Sequence, residues 1–167
     1  MKVLVVWYSR SGNTTKAARE IIRALEDQGE VTVESQELKE IETKRDGVLG
    51  WLKSGRDAMR KREADIRPVL FDVSEFDLVV IGTPVWAFTV TPAVRKFCRE
   101  HGPRCARVAF FCTMGGKGHE RTFREMAELC GKQPVGTLAL VDTDVNDRDQ
   151  HKLTRLAEGF ARQCVRG

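Results

Sequence analysis

With 167 residues, 41% hydrophobic and 31% charged, the chain has the size and balance of one folded domain with a sizeable core, which excludes a disordered tail. Its apolar start is short, without a small-residue cleavage site, and no apolar run approaches the ~20 residues that span a membrane, so a cytoplasmic protein is expected. The net charge is +4, with eight Lys or Arg against four Asp or Glu between Lys44 and Arg67. That stretch is expected to be a solvated helix face or a surface for an acidic protein partner, with no nucleic acid and no membrane.

The first predicted strand, Lys2 to Tyr8, carries the apolar run Val3-Leu4-Val5-Val6-Trp7 and leads into Ser9-Arg10-Ser11-Gly12-Asn13-Thr14-Thr15. A helix follows, with Ala17, Ala18, Ile21, Ile22 and Leu25 on one face, ending before Gly29. A hydroxyl-rich turn between a buried strand and a helix N-terminus reads as a phosphate cradle or as an ordinary capped strand-to-helix turn, and four hydroxyls favour the cradle. The first helical N–H groups lack intrahelical partners, and the macrodipole places roughly +0.5 of a charge there. Ser9, Ser11, Thr14 and Thr15 add hydroxyls, Gly12 allows close backbone approach, and Ser11 or Asn13 is the expected cap.

The second strand is predicted at Val31 to Gln36 and the third at Leu78-Val79-Val80-Ile81. Between them, Glu40 to Pro68 is long for a connection and holds a basic, amphipathic insert with Val48, Leu49, Trp51, Leu52 and Met59. It is expected either to form a lid or docking surface, with Trp51, Lys53, Arg56 and Arg60 near the ligand edge, or to pack its apolar side on the domain or on a second copy in a homodimer. After strand 3, Thr83-Pro84-Val85-Trp86-Ala87-Phe88 is stiff and aromatic. Trp86 there suits a flat ring, and Phe88 is read either as ring wall or as core beneath the loop.

Thr91-Pro92 starts the next helix, and Arg107 to Thr113 is strand 4. The loop Thr113-Met114-Gly115-Gly116-Lys117-Gly118 has three glycines in four residues, so its amides come close to a ligand edge. A helix with Phe123, Met126, Ala127 and Cys130 on one face follows, then strand 5 from Val135 to Val141. The last helix presents Leu153, Leu156, Ala157, Phe160, Ala161 and Cys164. The acids at Asp142, Asp144 and Asp147 are expected as helix caps, with no metal. The five cysteines form no C-x-x-C pair, and four of them, in strand or helix patterns, are expected as buried thiols. His119, beside the glycine loop, is the one histidine placed to donate a proton, and no catalytic residue is assigned.

Strict alternation of strands and helices predicts an α/β fold: a three-layer, doubly wound, five-stranded parallel sheet in the order 2-1-3-4-5. Ligands then sit at the carboxyl ends of strands 1 and 3, and the three loops converge there.

On these loops the chain resembles the flavodoxin family over nearly its whole length. Ser9-x-Ser11-Gly12-x-Thr14 is similar to that family's FMN phosphate loop, and Gly82-Thr83-Pro84-Val85-Trp86 looks like a branch of short flavodoxin-like proteins that includes FMN-dependent reductases. The resemblance implies FMN as cofactor. Ser9, Arg10, Ser11, Gly12, Asn13, Thr14 and Thr15 would hold its phosphate, Thr83, Pro84, Val85, Trp86, Ala87 and Phe88 would border the isoalloxazine, and Thr113, Met114, Gly115, Gly116, Lys117 and Gly118 would form the third wall. It implies a redox protein: an electron carrier serving a redox partner protein, or an FMN-dependent reductase, with NAD(P)H:quinone oxidoreductase as the alternative. A phosphoacceptor module on the same scaffold lacks its acidic cluster here. The chain departs from a typical carrier in having no aromatic on the third loop and a positive net charge, which predicts a less reducing flavin.

Overall fold

The computed structural model describes residues 1–41, 64–146 and 151–166. Five strands, β1 (Lys2–Trp7), β2 (Thr32–Glu37), β3 (Leu78–Pro84), β4 (Val108–Met114) and β5 (Thr137–Val141), form one parallel sheet in the order β2-β1-β3-β4-β5. The helices are α1 (Asn13–Glu26), α2 (Pro92–His101), α3 (His119–Cys130), the short α4 (Asp142–Val145) and α5 (His151–Arg166). The expected fold class is the observed one. β3 runs on through Gly82, Thr83 and Pro84, because Val85 N–H donates to the Thr113 carbonyl at 2.8 Å and carries the pairing with β4 to the site.

The alternation of side chains along β1 explains the three layers. Val3, Val5 and Trp7 face a core with Ala17, Ile21 and Leu25 of α1 and Ala157, Phe160 and Cys164 of α5. Leu4 and Val6 face the opposite core, with Val94 and Phe97 of α2 and Met126 and Cys130 of α3. Burial on both faces is why β1, β3 and β4 read as continuous apolar runs. Packing is close enough at Gly82 that a Cβ there would lie 2.0 Å from Phe111 Cζ.

β2, at the sheet edge, is more polar and more exposed. Beyond its end the chain returns antiparallel: Ile41 N–H donates to the Asp65 carbonyl and Arg67 N–H to the Lys39 carbonyl, each at 2.8 Å. The connection between β2 and β3 therefore leaves and re-enters at one place, beside the carboxyl end of β2. Its residues 42–63, with Trp51, Lys53, Arg56 and Arg60, lie outside the described residues.

Candidate functional site

The loop after β1 turns directly into α1, with a cap that differs from the expected one. Gly12 precedes the helix at φ +93°, a left-handed conformation, and no side chain caps it; the expected Ser11 or Asn13 cap is not used. The reason is that Asn13 is the first helical residue and its side chain is engaged elsewhere, donating to Asp142 Oδ1 at 2.9 Å. Ser9 Oγ accepts from Gly12 N–H at 3.1 Å, which curls the loop. The first intrahelical bond runs from Lys16 N–H to the Gly12 carbonyl, so among the described residues the amides of Asn13, Thr14 and Thr15 have no partner. Nothing lies within 4 Å of a Cβ built on Gly12. Three free amides and an open approach at a helix N-terminus suit an anion.

Not every hydroxyl faces that anion position freely. Thr15 Oγ1 accepts from the Trp7 indole at 3.1 Å, and Thr14 Oγ1 shares a hydrogen bond with Thr113 Oγ1 at 2.8 Å. Arg10 stands with the ring wall: its guanidinium lies over the Trp86 ring, 5.6 Å from the centroid. Tyr8 meets the same ring edge-on, with centroids 5.7 Å apart and planes at 85°. Burial, with Glu40 nearby, pushes the Tyr8 phenol up to about 12, so it stays protonated.

The second loop is a tight turn. Trp86 and Thr89 exchange both backbone hydrogen bonds at 3.1 Å, and Ala87 and Phe88 between them have φ of 48° and 62°. Phe88 is 57% exposed, which corrects its reading as core: the turn throws the ring outward. Trp86 is half-buried. Thr83 is fully buried and bonded to Thr91 Oγ1 at 3.1 Å, so it fixes the turn's base.

The third loop meets both others. Thr113 joins the phosphate loop, and a Cβ on Gly118 (φ +112°) would lie 2.9 Å from Val85 Cγ1 and 3.0 Å from Phe88 Cα. Only glycine allows that approach. Gly115, Gly116 and Lys117 are exposed, and among the described residues their amides are unpartnered. His119 packs edge-on against Phe123, and its buried Nδ1 has no partner among the described residues. Of the acids after β5, Asp144 accepts from Val141 N–H at 3.2 Å and pairs with Lys152, whereas Asp142 reaches the first loop through Asn13.

Tyr8, Asp142 and the buried Arg95–Glu125 pair beside the turn are the neighbours that sequence reasoning missed. A tyrosine directly before the cradle was a usable signal for the first; the others follow from tertiary packing alone.

A doubly wound sheet with a helix N-terminus of free amides after β1, a tryptophan turn after β3 and a glycine loop after β4 is a flavodoxin-like fold. The flavodoxin family model matches residues 2–152, and the chain belongs to the flavodoxin family, taking FMN as its cofactor in redox chemistry. It is similar to a flavoprotein from Lactobacillus acidophilus NCFM in complex with FMN, at 25% identity and TM-score 0.70, covering 89% of this chain and 98% of that one. A flavodoxin from the domain Archaea (19% identity, TM-score 0.63, 99% of both chains) shares the fold. So does the two-electron reduced flavodoxin of Megasphaera elsdenii (20%, TM-score 0.61, 96% of this chain and 98% of that one). No curated protein sequence matches the chain.

Proposed function

We propose that the three loops form the FMN site of an electron-transfer flavoprotein. The amides of Asn13, Thr14 and Thr15, with the hydroxyls of Ser9 and Ser11, hold the phosphate. Thr83 through Phe88 border the isoalloxazine, with Trp86 as its platform, and Thr113 through Gly118 form the opposite wall. The observation that carries this reading is the pairing of two features at one sheet edge: unpartnered amides behind a left-handed Gly12, and a rigid aromatic turn across from them.

Bound FMN supplies hydride acceptance and one-electron exchange. The protein's residues position it. Free amides of Gly115, Gly116 and Lys117 are preorganised donors for negative charge on the ring's polar edge, which favours the reduced form. Exposed Phe88 gives a partner protein an apolar contact beside the ring, and Arg10 and Lys117, also exposed, favour an acidic partner. The residues from 40 to 68 are proposed as an insert of the same single domain. An aqueous, cytoplasmic setting agrees with the absence, among the described residues, of any helix long and apolar enough to cross a membrane.

Gly12→Ala tests the cradle, since Ala is strained at φ +93°. FMN affinity should fall about tenfold with riboflavin affinity unchanged; equal losses for both would refute a phosphate role.

A further inference from the structure

Two successive non-glycine residues in the left-handed region persist only where their surroundings over-determine them. Ala87 and Phe88 are such a pair, and their brace is visible. Thr89, 3% exposed, closes the turn, and its Oγ1 donates to Glu125 Oε2 and accepts from Arg95 Nη2 at 3.1 Å. Arg95, also 3% exposed, donates to the Val90 carbonyl at 3.2 Å and to Glu125 Oε1 through Nε at 3.1 Å, and its Nη2 lies 3.0 Å from the same oxygen.

A buried ion pair is weak evidence for stability, because desolvation offsets the attraction. This pair is directed at the turn: Arg95 and Glu125 come from α2 and α3 and meet on the residue that ends the Trp86–Thr89 exchange. Gly118 also runs close to the turn, where a Cβ built on it would lie 3.0 Å from Phe88 Cα.

We infer that Glu125, held by Arg95, is a positioning residue that sets flavin affinity by gripping Thr89 and fixing the turn that presents Trp86. The inference rests on the FMN reading of the site. It assigns to Glu125, Arg95 and Thr89 a role on the ring side alone, without contact to the phosphate.

Three variants test it: Thr89→Val, which keeps the shape and the ion pair but loses the hydroxyl; Thr89→Ser, which restores the hydroxyl; and Glu125→Gln. Dissociation constants of folded apoprotein for FMN and riboflavin are measured by flavin fluorescence, with inorganic phosphate as competitor of FMN. Thr89→Val and Glu125→Gln should weaken FMN and riboflavin by the same factor, about tenfold for a lost charge-assisted hydrogen bond, with phosphate affinity unchanged. Thr89→Ser should bind as wild type does. Wild-type flavin affinities in Thr89→Val, even with a lowered melting temperature, would reduce the cluster to a structural role and overturn the inference. Loss for FMN alone would overturn it too. Wild-type protein that binds neither flavin would instead bring down the FMN reading, and this inference with it.

Discussion

Thr14 and Thr113, ninety-nine positions apart, share a buried hydroxyl–hydroxyl bond of 2.8 Å that ties the start of α1 to the end of β4. Through it the cradle and the glycine loop have one common anchor. Thr113→Val leaves the Thr14 hydroxyl buried without its partner, and should cost about 1–3 kcal/mol. The double variant Thr14→Val/Thr113→Val should recover part of that loss, because no polar atom is stranded. Urea unfolding of Thr14→Val, Thr113→Val and the double variant measures the coupling; strictly additive losses would show that the two hydroxyls act independently.

Gly82→Ala places a methyl 2.0 Å from Phe111 Cζ in the buried strand β3. Overpacking of this kind costs about 1–3 kcal/mol. Thermal unfolding should show the loss, and adding Phe111→Leu should return part of it. A wild-type melting temperature in Gly82→Ala would contradict the close approach of these two residues.

The fold was legible because its signals are local and mutually consistent. Apolar runs at Val3–Val6 and Leu78–Ile81 announce strands buried on both faces, and the helical spacing from Ala17 to Leu25 announces the helix that covers one of them. The loops' contents were legible too. Side-chain direction was not: the same stretch allowed Arg10 to face a phosphate, yet it lies on Trp86, and allowed Phe88 to be core, yet the turn exposes it. Those outcomes depend on partners distant in sequence, Trp86 for Arg10 and Glu125 for the turn.

Arg10→Gln distinguishes the two positions of that guanidinium. A cation over a partly exposed aromatic ring is worth about 0.5–1 kcal/mol, so FMN and riboflavin should both weaken by about threefold or fourfold. Titration of the two flavins reads this directly. A loss confined to FMN would return Arg10 to the phosphate.

Burial pushes the thiols of Cys105, Cys112 and Cys164 up to about 12, and contact with Cys130, together with burial, holds the Cys98 thiol well above its ordinary value. Only thiolates react with disulfide reagents at an appreciable rate. Native protein at pH 8 should therefore react slowly at Cys98, Cys105, Cys112 and Cys164, and urea-unfolded protein at all four rapidly. Fast labelling of the native chain would contradict the burial.

His101 stacks on Phe97 with ring centroids 5.0 Å apart, and burial lowers its pKa from 6.5. The folded state thus binds its proton less readily than the unfolded state. Stability from this site is complete above the unfolded pKa and is lost as pH falls from there toward the folded value. His101→Gln should flatten the change in urea midpoint over that window; an unchanged slope would contradict the shift.

The central claim, a cradle for a phosphate joined to a platform for a flavin ring, is tested most directly by titrating wild-type apoprotein with FMN and with riboflavin. The structure predicts saturation by FMN at one per chain, with riboflavin weaker by at least about tenfold, the difference being the phosphate on the amides of Asn13, Thr14 and Thr15. Equal affinity for the two flavins, or no binding of either, would contradict it.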